Sequence, residues 1–313
     1  MGKANPSAWQ SGIPLDDLTV VIPSYGRQEF LLRQMVYWKL SQARVLLLDG
    51  TESPLDGDIQ AAIAEAGNIT YMHRCVSFAE RMRLAGAMLV TSHAVMSGDD
   101  EFLLASGLQR ALEKLKQDPT SVGCIGQSLS FCVNADTCAV SYAPGYPHWK
   151  YEVRAEKAAD RMNAAMTHYV AATCYAVLTA DVWRRSWGEH GTWSTPYAGE
   201  IQQALSTYAL GNLTTVDEVY WMRSTENAPV NSLSYNRGLS FEEWWRSREF
   251  RNEHHEFLNH VSVHILAAGG VRTGEAIDMV GKAVGIYVES AIMQPVVGKL
   301  RGQLVAWVKK AMP

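Results

Sequence analysis

The chain has no large excess of either charge, no apolar tract long enough to cross a bilayer and no paired cysteines. Its 313 residues carry 28 basic and 32 acidic side chains, a net charge of −4. It therefore lacks the broad cationic footprint that nucleic-acid binding requires, and a nucleic-acid partner is not expected. No run reaches the about 18 apolar residues of an ordinary membrane helix. Residues 1–17 lack a basic start followed by an apolar stretch, so no secretory leader is expected. The five cysteines (Cys75, Cys124, Cys132, Cys138, Cys174) are odd in number and hold no Cys-x-x-Cys. That excludes a disulfide scaffold or zinc ribbon and predicts reduced thiols in a cytoplasmic protein. Internal repeats and low-complexity tracts are missing too. What is present is ordinary globular composition, 47% hydrophobic and 19% charged. A chain near 300 residues buries roughly 75% of its unfolded surface, enough for a sizeable core.

Short apolar runs alternate with helical periodicity through the first part of the chain. The runs are Leu18 to Pro23, Arg44 to Leu48, Ile69 to Met72 and His93 to Met96. The helical stretches are Phe30 to Leu40, Asp58 to Ala66, Ala79 to Val90 and Ser106 to Gln117, the last closed by Asp118-Pro119. Strands without polar alternation are covered on both faces, which predicts an α/β fold with a mostly parallel sheet flanked by helices. Such sheets bind ligands at the carboxyl ends of their strands. Three polar clusters fall at those ends: Ser24-Tyr25-Gly26-Arg27, Asp49-Gly50-Thr51 and Asp99-Asp100-Glu101. The pattern predicts one rim carrying all three.

Beyond Gln117 the pattern is less regular. Strands are predicted over Val122 to Val133, Cys138 to Tyr142, His168 to Leu178 and Thr214 to Arg223, with a Pro/Gly-rich loop over Ala143 to Pro147. A helix is predicted over Gly199 to Tyr208, opening with Glu200, and from Phe241 the pattern is helical to the end.

Clustered carboxylates at a strand end are hard oxygen ligands for Mg2+ or Mn2+, an ion that neutralises charge on a departing diphosphate. The same three acids also suit a solvated turn ahead of the next helix, and their chemistry alone leaves both readings open. Tryptophans and tyrosines are numerous, 10 and 13, and their faces suit the C–H faces of sugars. Trp149, Tyr151 and Trp193 fall in loops near the expected acceptor side, although packing is the commoner use of each. Among His254, His255, His260 and His264, the last two stand one helical turn apart. No Glu follows His260, so the His-Glu-x-x-His metal arrangement is absent and packing is expected.

Val20-Val21-Ile22-Pro23-Ser24-Tyr25-Gly26-Arg27, then Leu46-Leu47-Leu48-Asp49-Gly50-Thr51, then Met96-Ser97-Gly98-Asp99-Asp100-Glu101-Phe102 together resemble the nucleotide-sugar glycosyltransferases of the family 2 type. Within them, the chain is most similar to a bacterial branch whose acidic motif reads Gly-Asp-Asp-Asp-Phe. Order and spacing hold over residues 18–225. The resemblance implies a GT-A-like, Rossmann-type fold, a nucleotide-sugar donor and a divalent cofactor, Mn2+ or Mg2+. Carried over position by position, it implies that Pro23, Ser24, Tyr25 and Arg27 contact the nucleotide and its diphosphate, and that Asp49 meets the base. It implies donor contacts from Arg81, Asp99, Asp100, Trp221 and Arg223, and a metal ion held by Asp99 and Glu101. Two positions depart from the family pattern: one acid stands at Asp49 where many members have two, and glutamate at 101 replaces the last aspartate. The family's general base, which deprotonates the acceptor hydroxyl, falls on Glu200, with Asp181 and Glu189 as weaker substitutes. An acid in a helix's first turn is also favoured by the helix dipole alone.

These readings divide the chain into an N-terminal extension (1–17), a GT-A-like domain (18–228) and a helical region (229–313) for oligomerisation or membrane-surface association. Within residues 296–313, Val297, Leu300, Leu304 and Val308 are set against Lys299, Arg301, Lys309 and Lys310. This is the pattern of a basic amphipathic helix on an anionic membrane, or of a helix packed on the domain or on a second copy of the chain. The function expected is metal-dependent transfer of a sugar, with inversion, from a nucleotide sugar to the hydroxyl of a saccharide or lipid-linked saccharide. The place expected is the cytoplasm, including the inner face of its membrane. Two rival classes are a non-catalytic nucleotide- or carbohydrate-binding protein on the same fold and a nucleotidyltransferase. For the second, Ser24-Tyr25-Gly26-Arg27 is a poor version of a Gly-rich phosphate loop. Glycosylation of DNA bases is opposed by the acidic net charge.

Overall fold

In the computed structural model, which describes residues 12–134, 136–146, 151–171, 173–227 and 239–290, the apolar runs of the first half become buried strands. The chain passes through β1 (Leu18–Ser24), α1 (Gln28–Trp38), β2 (Arg44–Asp49), α2 (Gly57–Glu65), β3 (Ile69–His73), α3 (Phe78–Met88) and β4 (His93–Met96). β1 pairs in parallel with β2 and β4, and β2 with β3. There follow β5 (Phe102–Leu103), α4 (Ala105–Gln117), β6 (Ser121–Val133), β7 (Val140–Pro144), α5 (Ala158–Thr167), β8 (Val177–Thr179) and α6 (Ala180–Trp183). The last elements are α7 (Pro196–Leu210), β9 (Asn212–Ser224), α8 (Phe241–Arg246), α9 (Arg251–Ala267) and a helix over residues 273–290, here α10.

The strands form one sheet in the order β3-β2-β1-β4-β8-β6-β9-β5, with β7 paired to β6. The chain winds from β1 out to β3, and α3 then carries it back to β4 on the other side of β1. Right-handed crossovers place α1 and α2 on one face and α3 on the other. Reversal of winding at β1 opens a crevice between the carboxyl ends of β1 and β4, the place where such sheets bind ligands.

The expected α/β architecture is the one found, and most of the paired strand length is parallel. The second half departs from it. β8 runs antiparallel to β4 and β6, β7 to β6 and β5 to β9. His168 to Leu178 is not one strand: Thr173–Tyr175 form a 3-10 turn, and pairing begins only at β8. Tyr169 bonds Glu200 and Tyr175 stacks on Trp221 rather than either lying along a neighbouring strand.

Helix α5 was not predicted. It is fixed by Arg161, buried, whose guanidinium donates to the carbonyls of Ala155, Glu156, Tyr208 and Ala209 at 2.7 to 2.9 Å. One side chain thereby satisfies the end of α7, where carbonyls lack helical partners, and the turn into α5. The C-terminal helices share the core of the sheet domain: a single hydrophobic cluster runs from Leu15 to Val288. Trp193, Trp244, Phe241 and Phe257 meet edge-on or tilted where α8 and α9 approach α7. Among the described residues no helix is long and apolar enough to cross a membrane. Trp149 and the amphipathic segment 296–313 lie outside the described residues.

The packing of α4 on β9 leaves no room at Gly107, where a Cβ would lie 2.6 Å from Tyr220 Cα. Gly107→Ala is therefore expected to lower stability by about 1–3 kcal/mol, the usual cost of overpacking. Gly57→Ala, in open space in the first turn of α2, is expected to leave stability unchanged or higher. Urea unfolding followed by tryptophan fluorescence checks both, and equal midpoints for the two variants would contradict this packing.

Candidate active site

Parallel register brings the three polar loops to one edge: Ser24 pairs with Asp49, and the Ser97 N–H bonds to the Val21 carbonyl as the chain leaves β4. Gly26 has φ of +67°, a left-handed conformation that glycine adopts without strain. It turns the chain sharply from β1 into α1, and its N–H donates to Thr51 Oγ1 at 3.0 Å. Ser24 Oγ donates to Asp99 Oδ2 at 2.6 Å. Arg27 spans the crevice to Asp99 Oδ1 at 2.5 Å and Asp100 Oδ2 at 3.3 Å. Asp100 Oδ2 also accepts from Asn227 Nδ2 at 2.6 Å.

Helix α1 holds the backbone of the same acidic loop. Buried Gln34 donates through Nε2 to the carbonyls of Asp99 and Glu101 at 2.9 and 2.6 Å. Arg33 donates to the Asp100 carbonyl at 2.7 Å. Glu101 turns the other way, towards β9, where Trp221 Nε1 donates to its Oε2 at 3.0 Å. Trp221 is itself buried, stacked on Tyr175 at 4.1 Å and lying near-parallel to Tyr146 at 5.9 Å. Arg223 sits over the Tyr146 ring at 5.4 Å.

Environment separates these carboxyls. Burial pushes Asp99 up to about 6, against the opposing pull of Arg27 and the Ser24 hydrogen bond. Burial, helped by repulsion from Asp100, pushes Glu101 up to about 8. Burial also acts to raise Asp49, but hydrogen bonds from Thr51, Gln28 and Tyr71 outweigh it and leave that carboxyl low. Those bonds are 2.7 to 2.8 Å long.

Of the residues singled out from the sequence, Ser24, Arg27, Asp99 and Asp100 meet at the crevice. Pro23 lies half-buried in β1, and Tyr25 is 58% exposed beside it. Arg81 lies under the rim rather than on it. Its buried guanidinium packs beneath Gly50 and donates to the carbonyls of Ser24 and Leu48. Asp49 has both oxygens occupied by protein donors, and Trp221 reaches Glu101. These three support the loops in the arrangement seen. Gln34, Asn227, Gln28 and Tyr71 were not singled out. For Gln34 a signal existed: a polar residue between Leu31 and Trp38 on the apolar face of α1, and a buried polar group is the informative kind.

Mg2+ and ions like it require several oxygens converging at about 2.0–2.1 Å. Asp99 already faces Arg27 on one oxygen and Ser24 on the other, while Glu101 faces Trp221 and Tyr175. Among the described residues, no three or more His, Cys, Asp or Glu side chains are grouped so as to hold a metal ion. The expected pair, Asp99 and Glu101, does not fit a resident ion as arranged, and Arg27 is the positive charge set against Asp99.

Glu200 stands in the second turn of α7, which Pro196 opens. It is half-buried, and its Oε1 accepts from the Tyr169 hydroxyl at 2.7 Å. Among the described residues its Oε2 takes no hydrogen bond. Burial raises its affinity for a proton, and the Tyr169 bond works in the opposite direction. The thiol of Cys174, pushed up by burial, is raised further by the charges of both Glu200 and Glu101. The acid on α7 and the acidic loop thus act on one buried neighbour. Asp181 and Glu189 are exposed. Tyr151 is buried in the core, and Trp193 packs against Trp244, Phe257 and His260, so the described aromatic candidates for sugar contact are packing residues. His254 and His264 pack likewise.

No protein-family sequence model matches the chain, and no curated protein matches it in sequence. The likeness to known proteins is structural. S. aureus TarS 1–349 in complex with UDP superposes at TM-score 0.54 and 11% identity over 86% of this chain and 70% of that one. The same fragment with UDP-GlcNAc gives 0.56 at 10% identity, over 87% and 73%. The longer S. aureus TarS gives 0.55 at 10% identity, over 87% of this chain and 43% of that one. The chain has a GT-A-like fold. Identity this low leaves chemistry to be argued from the site itself.

Glu101 keeps its proton to about pH 8 in the folded chain, against an ordinary 4.5. The folded chain therefore binds more protons than the unfolded one across that interval and loses stability as pH rises through it. Asp99 adds the same sign between its ordinary 3.8 and about 6. Glu101→Gln is expected to be closest to wild type near pH 4 and to gain on it steadily towards pH 8, read as Tm across that range. A constant offset would refute a neutral Glu101.

Proposed function

We propose that the protein is a glycosyltransferase that binds a nucleotide sugar in the crevice between β1 and β4. It transfers the sugar to a hydroxyl of a saccharide, free or lipid-linked. The observation that carries this reading is the bridge from Ser24 and Arg27 to Asp99 and Asp100 at the winding reversal of a GT-A-like sheet. Its support is that the TarS structures of like fold hold UDP or UDP-GlcNAc.

A diphosphate carries its charge to the end of the sheet where Arg27 stands, with 35% of its side chain exposed. A guanidinium fork matches phosphate oxygens in pairs. Tyr25 and Arg223 flank the nucleotide and diphosphate, and Arg81, from below, keeps the β1 and β2 loops in place. In the transfer the acceptor oxygen bonds to the anomeric carbon as the bond from that carbon to the diphosphate oxygen breaks. The electron pair leaves with the diphosphate, and the acceptor proton passes to Glu200. Attack opposite the leaving group inverts the centre.

Calorimetric titration with UDP, GDP, CDP, ADP, dTDP and CMP, each with and without Mn2+, tests the donor site. One diphosphate is expected to bind in the micromolar range. Arg27→Ala is expected to weaken it tenfold or more, about 1.4 kcal/mol. Binding of none removes the reading, and binding strictly dependent on Mn2+ and Asp99 would restore an ion to the acidic loop. Tight binding without turnover would favour the non-catalytic alternative.

Glu200 must be ionised to accept a proton, so the rate is expected to rise with pH through its raised pKa. Glu200→Gln is expected to lower kcat by about 10²–10⁴ with nucleotide affinity intact. Tyr169→Phe removes a bond that favours the carboxylate and is expected to move the acid limb to higher pH. A pH–rate profile unchanged in both variants would assign the base elsewhere.

A further inference from the structure

We infer that the pocket between α5, α7 and α10 is a subsite for a neutral pyranose ring of the acceptor. The inference rests on the reading of Glu200 as the base and names what sits against it. The pocket measures about 220 Å³, below the roughly 300–1,000 Å³ of pockets that take drug-sized ligands, a size for one ring. Three tyrosines line it from separate places: Tyr169 beyond the end of α5, Tyr197 in the first turn of α7 and Tyr287 on α10. Met166, Ala171 and Ser290 stand with them beside Glu200.

The chemistry of this lining is selective. Tyrosine rings offer apolar faces with a polar edge, the complement of a sugar ring with C–H faces and equatorial hydroxyls. Glu200 is the charged group among the described lining residues, and no basic side chain is among them, which disfavours a phosphate or a uronic acid. Its Oε2, without a hydrogen bond among the described residues, is placed to accept from a hydroxyl. The walls are held rather than loose. Tyr169 bonds Glu200 and meets Tyr287 edge-on at 5.5 Å and 79°. Tyr287 in turn meets Phe241 of α8 edge-on at 5.2 Å and 88°. The C-terminal helices therefore complete the acceptor side of the site.

Saturation-transfer NMR with the methyl glycosides of glucose, galactose, mannose and N-acetylglucosamine tests this. At least one is expected to bind wild type in the millimolar range. Tyr287→Ala is expected to weaken it tenfold or more, and Tyr287→Phe, which keeps the ring, less than threefold. Ser290→Trp fills the pocket without removing packing and is expected to abolish binding. Nucleotide affinity should be unchanged in all three. Failure of every glycoside to bind wild type, or binding indifferent to both Tyr287→Ala and Ser290→Trp, overturns the subsite. If glycosides bind through Tyr287 while no nucleotide binds, the donor reading falls and the subsite stands. If a nucleotide binds and no glycoside does, the reverse holds.

Discussion

Taking a carboxylate out of water costs several kcal/mol unless its charge and lone pairs are met, and Asp99 has no exposed surface. Arg27 and Ser24 meet part of that requirement, the rest showing as the raised proton affinity of Asp99, and much of the rim follows from it. Ser24 ends β1, and Arg27 is the residue from which α1 starts. The pair can reach one carboxylate only if the chain reverses between them, which the left-handed Gly26 permits. Gln34, further along the same helix, then clamps the carbonyls on both sides of Asp100. The first helix is positioned by the acid it neutralises. A diphosphate drawn to Arg27 would compete with Asp99 and Asp100 for the same guanidinium, so ligand binding and the hold on the acidic loop are opposed.

Three consecutive acids here occupy three environments. Asp99 points into the β1 loop, Asp100 towards Arg27 and Asn227, and Glu101 into the aromatic stack of Trp221, Tyr175 and Tyr146. The two-residue strand β5 follows at once and pairs with Trp221 and Met222 of β9. Glu101 thus ties the acidic loop to the far side of the sheet, across β8 and β6. The extra methylene of glutamate relative to aspartate gives the reach for this tie. A carboxyl held neutral to about pH 8 can satisfy an indole N–H without leaving a charge among aromatic rings.

How much the sequence revealed follows from what each residue contacts. β1, β2 and β4 were readable because strands buried on both faces are written as apolar runs, and the polar residues that end them then had to share an edge. The run at His168 carried the same composition and misled, because Tyr169 spends its hydroxyl on Glu200 and Tyr175 stacks on Trp221, partners distant in sequence. Arg81 was legible as a charge and not as a direction: beneath Gly50 it bonds two strand-end carbonyls, where the family pattern points it at a diphosphate. The acidic cluster was legible as three carboxyls at a strand end, but not the separate partners of Asp99 and Glu101, since spacing along a strand end does not say where side chains turn.

The two halves of the sheet divide the work on the proposed reading. The parallel half, β3-β2-β1-β4, is specified by pattern, and its winding reversal supplies a crevice that any doubly wound sheet would have. The acceptor side is assembled from α5, α7 and α10, elements with no fixed place in that scheme, held together by single contacts such as Arg161 on the end of α7 and Tyr287 against Phe241. The charges of Glu101 and Glu200 both act to raise the Cys174 thiol and the Tyr146 hydroxyl. Charge on one side is felt on the other at low dielectric.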